Sequence, residues 1–292
     1  MALAGWELLK LVAAPGMGET APFTGARNPQ ALLEGLFLVH AWGASHAATW
    51  NVPSWSISVE LAACIMFAGL CLVSRRRPAL GAAVLAVIGL GGVIFIARRM
   101  DVTCDFGVLR GMAGFFLGVL VRLAPRPRLG PRISGLLEAG AIIAVFALLG
   151  LGAGTAWEFI APALFAGVVW VFAGEAGPAS AFLQLDPIQA VGRWSYSIYL
   201  IHFPLVVALG VVRKAAEKMT GLTLTHSYMT PDGPIQAMFI GSYWTMDLIT
   251  LAYLALVICL AALSYRLIEQ PGRDAFNGWA ASLRERPSLV SA

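Results

Sequence analysis

Long apolar runs constrain the fold of this chain more than any single motif does. A helix that crosses a bilayer needs roughly 20 mostly apolar residues. Seven strong runs are present, near residues 55–73, 79–97, 107–121, 136–152, 156–173, 193–212 and 248–266. Weaker stretches over 1–16 and 31–43 predict a partial span and an interfacial segment. The sequence therefore predicts an all-α, polytopic bundle of transmembrane helices.

Composition supports lipid as the solvent. Apolar residues make up 59% of the 292 residues, charged residues 12%, and the mean hydropathy is +0.77. A soluble domain is closer to about half apolar and about a quarter charged. The net charge of +4 does not indicate nucleic-acid binding, because the basic residues form short clusters between apolar runs. No zinc site or disulfide framework is expected, because metal or disulfide spacing is lacking at Cys64, Cys71, Cys104 and Cys259.

Arginine placement predicts the orientation. If the seven runs alternate in direction, one side receives the arginine clusters at 75–77, 122–132 and 266–286. Basic loops favour the cytoplasm, so the C-terminus is expected there and Trp55 at the outer face. The basic residues just after Val212 lie on the other side, so the bias is incomplete. The expected organisation is one transmembrane domain over 1–292, with an irregular segment over 1–50, an external loop over 213–247 and a cytoplasmic tail over 274–292.

Glu60 is a charged residue inside the first strong run. A charge at mid-span costs roughly 2.5–3.5 kcal/mol on insertion scales, so its presence needs a reason. Ser56 and Glu60 are four residues apart and share a helical face, whereas Ser58 is turned away. Two interpretations stay open at this point. Glu60 either lines a polar cavity near the outer leaflet, or is a first-turn carboxylate stabilised by the helix dipole and by water.

Arg110 begins a helix rich in small residues. Gly111, Gly114 and Gly118 predict a face suited to close helix packing. The arginine itself has two interpretations. It either snorkels from the outer end of its helix, or it pairs with Glu60 or binds an anionic group of a substrate.

His202 lies within the sixth run, close to Pro204. Ser195, Tyr199 and His202 fall at positions i, i+4 and i+7, which share one helical face. A hydroxyl, a phenol and an imidazole on one face are suited to bind a polar ligand or orient a proton-transfer group. The alternative is a set of interhelical hydrogen bonds that ends at a proline kink, where freed carbonyls need partners.

The remaining polar residues have plainer interpretations. Solvated surface positions are expected for His40, His46 and His226. Glu269 and Pro271 are expected to end the last helix. A transporter would also contain a polar internal site, but we find no pair of broken helices in two matching halves.

Four sequence blocks resemble the acyltransferase-3 family of integral membrane acyltransferases. Residues 50–60 resemble its W-S-x-S-x-E block, and 109–118 its arginine-led, glycine-rich helix. Residues 192–204 resemble G-x-x-S-Y-x-I-Y-L-x-H-x-P, and 264–273 resemble S-Y-x-x-I-E-x-P-x-R. Four blocks in the right order make a specific resemblance that extends from about residue 36 to residue 273.

The resemblance implies an enzyme that transfers acyl groups, often acetyl, to hydroxyls of envelope carbohydrates or lipid-linked glycans. The implied donor substrate is acyl-CoA (acetyl-CoA), with no permanently bound cofactor and no metal. The implied partners are the glycan acceptor and membrane lipid in a bacterial inner membrane, without nucleic acid. Catalytic roles are implied for His202, Glu60 and Arg110. Substrate contacts are implied for Trp55, Ser56, Ser58, Ser195, Tyr196 and Tyr199.

The N-terminal region departs from the family pattern. The family opens with a helix that carries an arginine and, further along, a histidine thought to be the catalytic base. Residues 1–50 contain no such helix. A sugar hydroxyl needs a general base before it attacks a thioester, and His202 fills that role only if it faces the same cavity. The chain is expected to lack the family's first two helices. It is then either an active O-acyltransferase, or a truncated, catalytically inactive homologue or non-catalytic membrane partner.

Overall fold

The computed structural model describes residues 2–12, 21–44, 49–74, 76–125, 129–152, 154–230 and 233–284. These residues are predominantly helical, as the sequence predicts, with the addition of one β-hairpin. The chain divides into two compact units, Met1–Ile188 and Gln189–Ala292.

The first unit is built from helices alone in its described residues. In chain order these are α1 (Ala2–Val12), α2 (Pro29–Leu36), α3 (Trp55–Val73), α4 (Pro78–Gly91), α5 (Gly107–Leu123), α6 (Pro131–Leu151), α7 (Ala161–Phe172) and α8 (Pro178–Leu183). A π-helical turn over Gly92–Ala97 extends α4. α9 (Asp186–Arg193) follows α8, and its residues from Gln189 onward belong to the second unit. An irregular turn over His40–Ala44 follows α2, with non-helical dihedral angles at Ala41, Trp42 and Gly43.

The second unit contains two long helices and the hairpin. Its elements are α10 (Ser195–Thr220), β1 (Thr225–Thr230), β2 (Gly233–Met238), α11 (Tyr243–Ser264) and α12 (Gln270–Arg284). The two strands are antiparallel, and Thr225 lies opposite Met238.

Most of the loop expected over 213–247 is regular structure. α10 continues past Val212 to Thr220, and Arg213 and Glu217 support this part of the helix with an i,i+4 ion pair of 2.7 Å. Glu217 also accepts a hydrogen bond of 2.9 Å from the backbone N–H of Leu224, which fixes the entry into the hairpin. α11 begins at Tyr243, because the side chain of Ser242 caps the helix by accepting from the N–H of Thr245.

Five helices in the described residues are long and apolar enough to cross a membrane. They are Val52–Val73, Pro78–Ala97, Pro131–Leu151, Ser195–Thr220 and Tyr243–Ser282. The predicted spans at 107–121 and 156–173 correspond to the 17-residue α5 and to a shorter apolar helix, Ala156–Phe172. The total of seven spans stays a prediction. The weak stretch predicted over 1–16 contains α1, and its residues 13–16 lie outside the described part of the chain.

Pro271 does not end the last helix, contrary to expectation. α11 continues through a π-helical turn, Tyr265–Glu269, directly into α12. Pro271 is the second residue of α12 and directly follows the π-helical turn. The tail predicted over 274–292 is therefore helical as far as Arg284, and residues 285–292 lie outside the described part of the chain.

α4 and α5 pack closely because small residues separate them. The buried cluster between them contains Ala82, Ala86, Met112 and Phe116. A Cβ atom at Gly89 would lie only 2.6 Å from the backbone nitrogen of Ala113. Only glycine at this position allows the two backbones to approach so closely.

The predicted glycine face of α5 packs at one position and is open at two. A Cβ atom at Gly111 would overlap the side chain of Val59, so α3 and α5 approach closely there. Gly114 and Gly118 would meet nothing within 4 Å. They instead line two apolar grooves of about 250 and 530 Å³ on α5. The prediction of close packing is thus confirmed for Gly111, whereas Gly114 and Gly118 face grooves and not a closely packed neighbour.

Candidate functional site

Arg110 and Trp55 meet near the N-terminal ends of α5 and α3. The guanidinium carbon of Arg110 lies 5.5 Å from the centre of the Trp55 ring, within cation–π distance. Arg110 Nη1 donates to the carbonyl oxygen of Val102 at 3.3 Å. No carboxylate in the described residues pairs with Arg110, so the pairing with Glu60 that the sequence allowed is not formed. Two helix N-termini and a guanidinium make this end of the first unit attractive to an anion.

The nearby loop residue Asp105 is engaged elsewhere. It forms an ion pair and a hydrogen bond with Arg99. Burial by itself would raise the pKa of Asp105. The backbone N–H of Phe106 and the guanidinium of Arg99 outweigh that effect and hold the pKa below its ordinary value. Asp105 is therefore ionised at neutral pH, and its charge is balanced by Arg99.

Glu60 and Ser58 lie on different faces of α3, as their spacing predicted. Glu60 is exposed, and it forms no hydrogen bond or ion pair with a described residue. It is the sixth residue of α3, beyond the first turn in which the helix dipole acts, so the dipole gives it little stabilisation. Ser56 is half-buried, and its hydroxyl donates to the carbonyl of Pro53 at 3.1 Å.

Ser58 is fully buried and holds the His40–Ala44 turn against α3. Its hydroxyl donates to the carbonyl of Leu38 at 2.7 Å and accepts from the N–H of Ala41 at 3.1 Å. The indole N–H of Trp42 donates to the Ser58 carbonyl at 2.9 Å. These three bonds join the turn to α3.

His40 is buried, and the expectation that it is a solvated surface residue is wrong. It is 2% exposed, because the turn held by Ser58 carries it into the fold. Its Nε2 lies 3.1 Å from the hydroxyl oxygen of Ser54, whereas its Nδ1 has no hydrogen-bond partner among the described residues. Burial lowers the pKa of His40, against the smaller opposing effects of Glu34 and Ser54. The ring is therefore neutral at neutral pH.

A solvated surface position was also expected for His226 and His46. His226 is exposed on β1, as expected, with its ring centre 5.0 Å from that of Tyr228. His46 lies outside the described residues.

His202 is half-buried in α10. Its ring centre lies 5.7 Å from that of Tyr199, so the two rings share a face as their spacing predicted. Its backbone carbonyl accepts a hydrogen bond of 2.9 Å from the hydroxyl of Tyr253 on α11. This bond is of the interhelical kind expected near Pro204. The other predicted contacts on this helix, Ser195, Tyr196 and Tyr199, are exposed.

A second polar contact in this unit was not foreseen. Ser197, which is 4% exposed, donates from its hydroxyl to Glu269 Oε2 at 2.9 Å. Arg273 donates to Glu269 Oε1 at 3.3 Å and lies over the ring of Tyr265 at 5.4 Å. These bonds join the first turn of α10 to the π-helical turn. Glu269 thus has a structural role, although it does not end a helix.

Glu138 is a buried polar residue that the sequence analysis did not single out, although it is the one charged residue in the run at 136–152. It is 1% exposed in α6. Its carboxylate accepts from the backbone N–H groups of Gly177, Ala179 and Ser180 at 3.1, 2.9 and 3.2 Å, and from the Ser180 hydroxyl. The carboxylate therefore caps the N-terminal end of α8 and fixes it against α6.

Comparisons with known proteins agree with the family resemblance of the four sequence blocks. The family model described as the acyltransferase domain matches residues 17–266. The chain belongs to the acyltransferase-3 family, and its apolar helices make it an integral membrane protein. It is 25% identical over 279 residues to the Komagataeibacter xylinus protein named "Putative membrane-bound transacylase BcsY", which covers 87% of this chain. The match spans 62% of that relative's length. No solved structure matches the chain.

Proposed function

We propose that this protein is a membrane O-acyltransferase. It transfers an acyl group, typically acetyl, from acyl-CoA to a hydroxyl of a cell-envelope carbohydrate or lipid-linked glycan. The family match over residues 17–266 carries the proposal. The relative named as a membrane-bound transacylase supports group transfer at a membrane.

The electropositive end of α3 and α5 supports a role for Arg110 in substrate binding. The thioester carbonyl becomes an oxyanion when a hydroxyl attacks it, and a guanidinium is suited to stabilise that charge. Trp55 and Ser56 lie at the same end of α3 and would contact the substrate there. Ser58 is not among the proposed contacts, because its hydroxyl is buried and already holds the turn.

The proposed catalytic set is Arg110, Glu60 and His202. Glu60 supplies an unpaired carboxylate on the exposed face of α3. His202 supplies an imidazole on α10, with Ser195, Tyr196 and Tyr199 as further hydrogen-bonding groups beside it. In the reaction, the acceptor oxygen forms a bond to the acyl carbon, the carbon–sulfur bond breaks, and the proton passes through a base to the leaving thiolate.

We further propose a bacterial inner-membrane location with the C-terminus in the cytoplasm. The donor then comes from the cytoplasm and the acceptor is modified on the outer side, within surrounding lipid. No permanently bound cofactor or nucleic acid takes part.

The test is an acylation assay in cells that lack their own envelope acyltransferases. Mass spectrometry would follow ester-linked acyl groups on envelope glycans. The wild-type protein is expected to add them, and alanine at His202, Glu60 or Arg110 to reduce the signal by about 10²-fold or more. His226→Ala is the matched control, because this residue is exposed on the hairpin. An inactive wild-type protein would instead favour the non-catalytic alternative, and three fully active variants would refute the proposed site.

A further inference from the structure

His40 stands out among the buried polar groups of the first unit. The residue is 2% exposed, yet one of its two ring nitrogens forms no hydrogen bond within the described part of the chain. Leaving a buried polar atom unpaired costs about 1–3 kcal/mol. Glu7 and Glu138, which are buried as deeply in this unit, are both hydrogen-bonded. The structure alone gives His40 no comparable compensation.

The hydrogen bonds around Ser54 indicate which nitrogen carries the proton. The Ser54 hydroxyl has one proton, and it donates to the carbonyl of Asn51 at 2.6 Å. The contact of 3.1 Å to His40 Nε2 is then made by an Nε2–H group that donates to the Ser54 oxygen. In a neutral imidazole this arrangement leaves the basic lone pair on Nδ1. The chain from His40 to Ser54 to Asn51 thus fixes the tautomer and the ring orientation.

The position of His40 places this lone pair near the candidate site. Ser54, its hydrogen-bond partner, immediately precedes Trp55, over which Arg110 lies. His40 and Arg110 therefore both contact the N-terminal end of α3. Glu34 on α2 favours the protonated ring, through its backbone more than through its charge.

We propose that His40 is the general base of the acyl transfer, a role that rests on the proposed function. Nδ1 accepts the proton of the acceptor hydroxyl as its oxygen forms the bond to the thioester carbonyl carbon. The carbon–sulfur bond then breaks, and the leaving thiolate takes the proton back from Nδ1. The atoms and charges balance without a cofactor. Ser54 is a positioning residue that holds the Nε2–H group.

Access to Nδ1 requires the His40–Ala44 turn to move, because the atom lies inside the fold. The turn is suited to such movement. It is irregular, with a glycine at φ 88° at position 43, and it is joined to α3 chiefly through Ser58. Closing this turn over a bound substrate would also exclude water from the reacting groups.

The key experiment compares His40→Gln with the exposed control His226→Gln. In His40→Gln, the amide of the introduced side chain reaches the position of Nε2 and retains a donor for Ser54, but it supplies no base. We expect kcat of His40→Gln to fall by about 10²–10⁴-fold with KM within about twofold. We expect no change for His226→Gln. A His40→Gln variant with wild-type kcat would overturn the proposal, as would one whose loss is wholly in KM.

A second variant tests the proposal if His40→Gln does not fold. His40→Gly is expected to recover activity in proportion to added imidazole, whereas a purely structural histidine gives no such rescue. Nitrogen-15 NMR of the histidine rings in lipid nanodiscs tests the tautomer without any activity. A protonated Nδ1 would refute the role of His40 even if acyl transfer is observed. A wild-type protein that shows the expected tautomer but transfers no acyl group would refute the proposed function, and the catalytic role with it.

Discussion

Two polar clusters in the first unit differ in how completely their polar groups are hydrogen-bonded. Glu138 is buried between α6 and α8, and four donors satisfy its carboxylate. At the N-terminal end of α3, His40 keeps an unpaired Nδ1, and Arg110 has a single carbonyl and an aromatic face. A satisfied cluster stabilises the fold, whereas an unsatisfied one costs stability and is retained where a ligand uses it. The comparison separates a structural carboxylate from candidate functional groups.

The largest expected effect is on stability, from Glu138→Gln. The amide keeps the volume, but its NH₂ group faces backbone donors and the negative charge is lost. We expect a loss of about 3 kcal/mol in the free energy of unfolding. Thermal unfolding in detergent would measure it. Glu60→Gln is the control, because this carboxylate is exposed and has no described partner. Equal stability of the two variants would contradict the comparison.

Glu60→Gln is expected to show the reverse pattern. We predict that acyl transfer falls by about 10²-fold while the unfolding temperature stays within about 1 °C, because the side chain is exposed and forms no hydrogen bond or ion pair with a described residue. The measurement combines the glycan ester assay with the unfolding scan on one preparation. Retained activity in this variant would remove Glu60 from the catalytic set without affecting the role of Glu138.

Two glycines of α4 sharpen the comparison between tight and open positions. In Gly89→Ala, the added methyl group would meet the backbone of α5 at 2.6 Å, so we expect a loss of about 1–3 kcal/mol. In Gly91→Ala, the methyl group enters open space and improves helix propensity. The unfolding temperature should therefore fall for Gly89→Ala, and it should rise or stay unchanged for Gly91→Ala. A destabilised Gly91→Ala would argue against the helix packing described above.

The smallest expected effect is the pH dependence due to His40. Burial lowers its pKa from the ordinary value of 6.5, so the unfolded chain binds the proton more strongly than the folded one. The contribution of the neutral His40 ring to the free energy of unfolding is fully present above pH 6.5. It falls as the pH drops below that value, by at most about 1.4 kcal/mol per pH unit. Unfolding scans between about pH 7.5 and about pH 5.5 should show this slope, and His40→Gln should reduce it. An unchanged slope in the variant would assign it to other groups.

The sequence was sufficient for the parts of the fold that depend on local hydropathy. The five long apolar helices and the face shared by Tyr199 and His202 follow from composition and helical spacing alone. The hairpin and the helix through Pro271 were not predicted. The first depends on pairing between strands, and the second on a π-helical turn that hydropathy does not report.

The polar contacts were harder to predict, because their partners are distant in the chain. His40 was assigned to the surface, although Ser54 and Ser58, 14 and 18 positions further on, bury it. Glu138 finds its donors about 40 positions away, and Ser197 pairs with Glu269 over 72 positions. A single glutamate in an otherwise apolar run was the only sequence signal at Glu138. Such a residue is worth testing as a buried helix cap.

The β-hairpin indicates which end of the second unit lies where the membrane meets water. Each strand has one neighbour, so both outer edges carry unpaired backbone groups that hydrocarbon does not tolerate. The hairpin, the end of α10 and the start of α11 must therefore lie at a water-facing boundary. The 22 residues of α11 extend about 33 Å, close to the roughly 30 Å of a bilayer core. The Ser197–Glu269 bond then lies at the opposite boundary, and α12 projects beyond it.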